Sequence, residues 1–123
     1  MALESITRPW RITMNSESGF IALTDRVLEM IVASLESSDA EVDWELNDGV
    51  LTLDCASGGK VILNRHLASR ELWVAAKSGG FHFRAEGGAW RDTKAGTELG
   101  RALSQLLQGQ AGVSVGFPAL PAT

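Results

Sequence analysis

The sequence lacks the features that mark membrane insertion, secretion or disulfide bonding. Its 123 residues include one cysteine, three prolines, two histidines and no tyrosine. Because Cys55 stands alone, an internal disulfide and a multi-cysteine metal site are excluded. No apolar run approaches the roughly 20 residues that cross a bilayer, and the first 20 residues lack the apolar core of a secretory signal. We therefore expect one cytoplasmic globular domain that does not enter a membrane.

Positive charge is missing from residues 27–59, where eight carboxylates occur without a lysine or an arginine. Residues 60–101 reverse this bias, with eight basic and four acidic side chains, within a net charge of −4. Contacts to phosphate require clusters of lysine and arginine, so we expect no nucleic acid partner. A cation or a basic protein surface is the partner that this charge distribution favours.

The first regular element predicted is an amphipathic helix from about residue 17 to 37. Its apolar residues recur at intervals of three and four, and they are Phe20, Leu23, Val27, Ile31 and Leu35. Met14 is followed by helix-capping residue types at positions 15 and 16, which resembles a second beginning of the chain. We therefore interpret residues 1–13 as a loose N-terminal extension.

Short alternating segments separated by turn residues fill the middle of the chain. They read "EVDWEL", "VLTLDC", "KVILNR", "ELWVAA", "FHFRA" and "AWRD", and the first is followed by the strong hairpin signal Asn47-Asp48-Gly49. Five or six strands joined by tight turns form an antiparallel meander.

A second helix is predicted within "GTELGRALSQLLQG", with Leu99, Leu103 and Leu106 on one face and Gly109 as its C-cap. The fold class is thus α+β, a two-layer α/β sandwich in which an N-terminal and a C-terminal helix cover one face of the sheet. The domain is assigned to residues 14–117, and residues 118–123 are interpreted as an irregular tail. The other sheet face is left open to solvent.

The segment "AEVDWELND" alternates strictly, so Glu41, Asp43 and Glu45 are predicted on one strand face and Val42, Trp44 and Leu46 in the core. At about 3.4 Å per residue, Glu41 and Glu45 stand roughly 13 Å apart. Glu29 and Glu36 are about 10 Å apart along the first helix. Such a row supplies one or two oxygen ligands per ion but no closed coordination cage.

We name as the acidic ridge the six carboxylates of the first helix, its C-terminal end and the first strand: Glu29, Glu36, Asp39, Glu41, Asp43 and Glu45. A solvated surface that discourages edge-to-edge aggregation is one interpretation. A site for cations or a basic protein is the other, because like charges on one strand face repel and a helix C-terminus favours positive charge.

An ordered set of segments resembles the bacterial frataxin (CyaY) family: "NDGVLTL", "VILNRH", "ELWVAAKSGGFHFR", "AWRDTKAGTEL" and the late "QAG". The resemblance runs from about Met14 to Phe117. It implies the helix–meander–helix fold and an accessory role in iron–sulfur cluster assembly, with a cysteine desulfurase and the scaffold machinery as partners. The sequence departs from the family in two places. Ser34, Ser37 and Ser38 stand where many relatives carry carboxylates, and His66 stands where the family usually has glutamine.

On this resemblance, the acidic ridge is expected to bind Fe²⁺ or Fe³⁺ weakly, in competition with other hard divalent cations. Partner contact is assigned to Asn64, Arg65, His66, Trp73 and His82. Trp73 alternates with Leu72 and Val74, which places it on the open face, where an exposed tryptophan is a typical interface anchor. Cys55 is expected in the core, and a metal-binding role for His82 is not favoured.

The resulting hypothesis is a non-enzymatic adaptor that is a monomer by default and can form a metal-dependent oligomer. Two alternatives stay open. A ferroxidase or iron-storage protein needs closely spaced ligands such as E-x-x-H pairs, which the sequence does not contain. A sheet module that binds a basic protein without metal is the other alternative.

Overall fold

The fold is a helix, a six-stranded antiparallel meander and a second helix. The computed structural model describes residues 16–123, so the predicted loose extension, residues 1–13, lies outside the described part. The sheet order is β1-β2-β3-β4-β5-β6, with every neighbouring pair antiparallel. This confirms the predicted α+β class. The elements are α1 (Glu17–Glu36), β1 (Val42–Asn47), β2 (Val50–Cys55), β3 (Gly59–His66), β4 (Glu71–Ala76), β5 (Gly79–Glu86), β6 (Ala89–Asp92) and α2 (Leu99–Ala111).

Helix α1 begins and ends with serine hydroxyls. At its start, the Ser16 Oγ accepts a hydrogen bond of 3.0 Å from the Gly19 N–H, which satisfies one of the free amides of the first turn. At its end, the Ser37 and Ser38 hydroxyls donate to the carbonyls of Ser34 and Leu35, at 3.1 and 2.8 Å. The last turn of the helix contains these serine hydroxyls and no basic side chain.

The first hairpin is closed by a two-residue turn whose backbone favours small or polar residues. Asp48 and Gly49 have φ values of +46° and +79°, the left-handed conformation of a tight hairpin turn. A Cβ atom at Gly49 would lie 2.8 Å from the Arg65 guanidinium, so a larger residue here would also displace that side chain. The predicted turn at 47–49 is confirmed.

The core lies between the sheet and the two helices. Apolar side chains of alternate strand positions are fully buried against α1 and α2; they are Leu51, Leu53, Val61, Leu63, Leu72, Phe83 and Trp90. Phe20, Val27 and Ile31 of α1 are buried as their spacing predicts, and Cys55 is 3% exposed. Cys55 is thus a core residue, as predicted, and its burial, together with the neighbouring Asp54 charge, raises the pKa of its thiol.

The irregular C-terminal segment packs against this core. Leu120 and Ala122 are each 2% exposed. The indole N–H of Trp90 donates a hydrogen bond of 2.6 Å to the Pro121 carbonyl. The last residues therefore cover the end of β6, where a large aromatic side chain would otherwise leave a polar atom without a partner.

Helix α2 ends three residues later than predicted. Gly112, not Gly109, is its C-cap, with φ of +67° and a hydrogen bond of 3.0 Å from its N–H to the Gln108 carbonyl. Gly109 lies inside the helix. The prediction was wrong because only the left-handed conformation identifies the capping glycine, and the sequence does not show which of the two glycines adopts it.

The predicted burial of Trp44 is also wrong. Its side chain is 40% exposed and is the one exposed large hydrophobic residue within 16–123. Val42 and Leu46, on the same face, are half-buried. Because β1 has a neighbouring strand on one side only, the Trp44 side chain lacks packing partners on the other.

None of the helices in the described part is long and apolar enough to cross a bilayer.

Candidate functional site

Three rings are stacked on the open face of the sheet, the face that the helices do not cover. The Trp73 indole lies between the imidazoles of His66 and His82, with centroid distances of 3.7 and 4.3 Å and interplanar angles of 8° and 5°. Strand register produces this arrangement, because Trp73 of β4 stands opposite His82 of β5 and diagonal to His66 of β3, which lies two residues beyond the direct partner Asn64. We call these three residues the aromatic stack.

A buried carboxylate lies beside the aromatic stack. Glu71 is only 4% exposed although it lies on the open face. Its Oε1 accepts hydrogen bonds from the Trp73 indole N–H at 2.8 Å and from the Ser69 hydroxyl at 3.1 Å, and its Oε2 pairs with the Arg84 guanidinium at 2.5 Å. Every donor comes from a residue near the stack, so Glu71 holds the tryptophan in one orientation.

Hydrogen bonding keeps Glu71 ionised despite its burial. Burial alone raises the pKa of this carboxyl, but hydrogen bonds from Trp73, Arg84 and Ser69, with the Arg84 charge, together lower it below the usual value. The site therefore contains a fixed negative charge beneath a half-exposed tryptophan.

Both histidines are tied to the same group of polar atoms. His66 Nδ1 and the Ser69 Oγ share a hydrogen bond of 2.7 Å, and His82 Nδ1 lies 3.7 Å from the Glu71 Oε1. The imidazoles lie on opposite faces of the indole, whereas two nitrogens that ligate one ion must each come within about 2 Å of it. The geometry of the stack therefore does not fit ligation of one shared metal ion by the two histidines.

The structure brings together four of the five predicted contact residues. Asn64 is exposed and stands opposite Trp73, so it joins His66, Trp73 and His82 on the open face. Arg65 does not, because its side chain lies on the helix side and is 12% exposed.

Arg65 connects the sheet to the first helix. Its guanidinium donates to the Asp25 carboxylate at 2.6 Å and to the Thr24 hydroxyl at 3.3 Å. A third contact, to the Ile21 carbonyl, is 3.4 Å long. These bonds link β3 to α1, and they account for Arg65 without a partner protein.

Sequence reasoning missed Glu71, Ser69 and Arg84 as members of the site. A signal was available, because Glu71 alternates with Trp73 and stands opposite Arg84 once the hairpin after β4 is closed at Gly79. The burial of the carboxylate was not predictable, since it depends on rings contributed by β3 and β5.

The acidic ridge is an open row of charges. All six carboxylates are exposed, and none of them pairs with a basic side chain of residues 16–123. Within that range no three histidine, cysteine, aspartate or glutamate side chains are close enough together to hold a metal ion. Ser37, Ser38, Asp39 and Glu41 line a shallow cleft at the end of α1. Hydroxyls therefore occupy this part of the ridge alongside carboxylates.

Comparison with known proteins gives the family. A model of the frataxin-like domain matches residues 13–113, nearly all of the described chain. The chain belongs to the frataxin family. The resemblance inferred from the sequence segments is thereby confirmed, and so is the frataxin fold.

Relatives of this frataxin-family chain are similar along most of their length. The iron-sulfur cluster assembly protein CyaY of Dechloromonas aromatica is 47% identical over 100 residues, which cover 80% of this chain and 95% of that protein. CyaY of Paraburkholderia phymatum is 44% identical over 100 residues, with coverage of 81% and 95%.

Two solved frataxins have the same fold. Frataxin from Psychromonas ingrahamii, of the CyaY family, superposes with a TM-score of 0.79 at 32% identity, covering 84% of this chain and 98% of that one. Trimeric frataxin from the yeast Saccharomyces cerevisiae, solved in complex with ferrous iron, gives a TM-score of 0.63 at 27% identity, covering 73% and 86%.

Proposed function

We propose that this frataxin-family chain is a non-enzymatic accessory protein of iron–sulfur cluster assembly that acts in the cytoplasm. The observation that carries the proposal is 47% identity to a CyaY protein of that function over 95% of its length. In this role the chain binds iron weakly on the acidic ridge and contacts a cysteine desulfurase through the ridge and the open face.

Exposed, unpaired carboxylates support weak iron binding. Oxygen ligands suit Fe²⁺, Fe³⁺ and other hard cations, and water completes the shell where only one or two ligands are available. Glu36 and Asp39 lie at the C-terminal end of α1, where the helix dipole adds to the attraction for a cation. The ferrous complex of yeast frataxin shows that a member of the family takes up this ion.

The aromatic stack supports the protein contact. Trp73 is half-buried and fixed by stacking on both faces and by the hydrogen bond to Glu71, so little side-chain freedom is lost when a partner covers it. The adjacent ridge provides charge complementarity to a basic patch, which increases the association rate and fixes orientation.

A ferroxidase centre is not favoured by the described residues, because a di-iron site needs convergent carboxylate and histidine ligands. Oxygen uptake during an anaerobic-to-aerobic iron titration distinguishes this alternative from passive binding.

The chain acts as a monomer, and iron that bridges carboxylates of two ridges is the proposed route to an oligomer.

The proposal is tested by two measurements on the full chain. Titration with ferrous iron under anaerobic conditions should shift or broaden the amide signals of residues 29–48 and leave those of β4 and β5 unchanged. Binding to the cognate desulfurase should weaken in Trp73→Ala and in the double variant Asp43→Lys/Glu45→Lys. The control is Glu17→Lys, which reverses an exposed charge in the first turn of α1, outside both the ridge and the open face. Equal affinity of all four proteins would refute the proposed contact surface.

A further inference from the structure

The two edges of the sheet are protected unequally. Strand β6 has only four residues, and its outer side is covered by a bridge between Arg91 and Glu98 and by a hydrogen bond of 2.9 Å from the Asp92 N–H to the Thr97 carbonyl. Strand β1 has six residues, and no residue of the described chain pairs with its outer side. Natural sheets usually shield such an edge with charged side chains, proline or a bulge; β1 has neither a proline nor a bulge, and its only charges are the carboxylates Asp43 and Glu45.

The hairpin register shows which backbone groups β1 leaves unpaired. The two-residue turn makes Asn47 and Val50 a hydrogen-bonded pair, so Glu45 and Asp43 are bonded to β2 at alternate positions. The bond of 3.4 Å from the Ala56 N–H to the Glu41 carbonyl continues this pattern. The amides of Trp44 and Leu46 consequently point away from β2, while that of Val42 donates to the Ala40 carbonyl at 3.0 Å.

The side chains of β1 have different chemistry on its two faces. Val42, Trp44 and Leu46 form an apolar stripe on the helix side, with Trp44 40% exposed. Asp43 and Glu45 stand on the open face without a basic partner in residues 16–123. A strand laid beside β1 would therefore need apolar side chains on one face and positive charges on the other.

We infer that the outer edge of β1 binds an extended segment of a partner protein as a seventh strand, and that this segment alternates basic and apolar side chains. The outward amides supply the backbone hydrogen bonds, Trp44 the apolar contact, and Asp43 and Glu45 the charge complementarity. A second copy of the chain fits this edge poorly, because equal carboxylates would then face each other. The inference adds a mode of binding to the proposed function and rests on it for a protein partner at the ridge.

The test uses an acetylated and amidated peptide of alternating lysine and valine, long enough to pair with Val42–Asn47. Amide hydrogen exchange is measured by NMR on the full chain, with and without the peptide. Exchange should slow at Trp44 and Leu46 and stay unchanged at Asp43 and Glu45, whose amides are already bonded to β2. This alternating pattern separates strand addition from attraction between side chains.

Two further peptides serve as controls. The same peptide with methyl groups on alternate backbone nitrogens keeps its charge but loses the edge hydrogen bonds, and it should bind about tenfold more weakly. A peptide of alternating glutamate and valine should not bind. Trp44→Thr, which replaces the indole by a residue that also favours strands, should reduce affinity for the lysine–valine peptide several-fold.

The outcomes separate this inference from the proposed function. Equal binding of the methylated peptide, with exchange at Trp44 and Leu46 unaltered, overturns strand addition and leaves a basic partner at the ridge intact. Slow exchange at these two amides in the free chain also overturns it, because the edge is then already occupied. Failure of the proposed function is read independently, from unchanged desulfurase binding of Asp43→Lys/Glu45→Lys.

Discussion

Glu71 is a buried carboxylate on the side of the sheet that faces solvent. A charge removed from water is tolerated only when hydrogen bonds and an opposite charge replace its hydration. Trp73, Ser69 and Arg84 provide that replacement, and the rings of the aromatic stack exclude water above it. The position of Trp73, the main contact residue in the proposed function, thus depends on a residue that does not itself reach the surface.

Replacement of Glu71 by glutamine should destabilise the fold and loosen the stack. The amide matches the carboxylate in shape but leaves the Arg84 guanidinium without a counter-charge, and we expect a loss of about 1–3 kcal/mol in the free energy of unfolding. Urea unfolding gives the stability, and the Trp73 indole N–H chemical shift gives the orientation. Glu86→Gln, an exposed glutamate of β5, is the control. If both variants match the parent protein, Glu71 does not organise the site.

The same carboxylate makes a predictable contribution to pH dependence. Because the pKa of Glu71 is lowered in the folded chain, the unfolded chain binds the proton first as pH falls. Its stabilisation is therefore complete above the unfolded pKa of about 4.3 and is lost as pH falls through the folded value. The stability difference between the parent and Glu71→Gln should shrink as pH falls below about 5. A difference that grows below this pH contradicts the assignment.

At the scale of elements, the end of α2 separates two glycines with opposite roles. Gly112 has φ of +67°, whereas Gly109 lies in the helix, and no atom would crowd a Cβ at either position. Gly112→Ala should cost about 1 kcal/mol of unfolding free energy because alanine is strained in the left-handed region. Gly109→Ala should raise stability by about 0.5–1 kcal/mol, since alanine favours the helix interior. Thermal unfolding measures both, and the reverse order would place the helix end at Gly109.

Two adjacent residues of β3, Arg65 and Asn64, are expected to differ in their effects on stability and on partner binding. Arg65 binds Asp25 and Thr24 on the helix side, whereas Asn64 is exposed beside Trp73. Arg65→Gln should lower the unfolding free energy by about 1–2 kcal/mol and leave desulfurase affinity unchanged at temperatures where the variant is folded. Asn64→Ala should leave the unfolding free energy nearly unchanged and weaken desulfurase binding. Reduced affinity of fully folded Arg65→Gln would show that the residue also meets the partner.

At the scale of the whole molecule, the acidic ridge concentrates one sign of charge along the exposed end of the sheet and the adjacent helix. The net charge of −4 understates this, because eight of the eleven basic residues lie in residues 60–101. A concentrated field of this kind attracts a basic partner over a distance set by the Debye length, about 10 Å at 0.1 M salt.

Association with the desulfurase should accordingly depend on salt. The association rate is expected to fall by about tenfold or more as NaCl rises from roughly 0.05 to 0.5 M, while the dissociation rate changes little. Asp43→Lys/Glu45→Lys should flatten this dependence, and Glu17→Lys, outside the ridge and the open face, should change it less. Stopped-flow or surface-based kinetics measure the rates. An association rate that is insensitive to salt would mean that the ridge does not guide the partner.

Much of the fold follows from local patterns in the sequence. The apolar spacing of Phe20, Val27 and Ile31 determines α1, and the alternation in "VLTLDC" and "ELWVAA" determines β2 and β4, because each periodicity fits one backbone geometry. The turn at Asp48-Gly49 sets the register of the first hairpin. Alternation also places Trp73 and His82 on one face, so the centre of the candidate site could be predicted.

Only the tertiary structure decided what surrounds each side chain. Trp44 has the sequence pattern of a core residue but is exposed, because β1 lies at the edge of the sheet and edge position is a property of strand order. Arg65 and His66 are adjacent in sequence, yet one side chain binds α1 and the other joins the stack. Glu71 is buried because β3 and β5 bring His66 and His82 beside Trp73. Burial and pairing of this kind arise from contacts distant in sequence, which local periodicity does not encode.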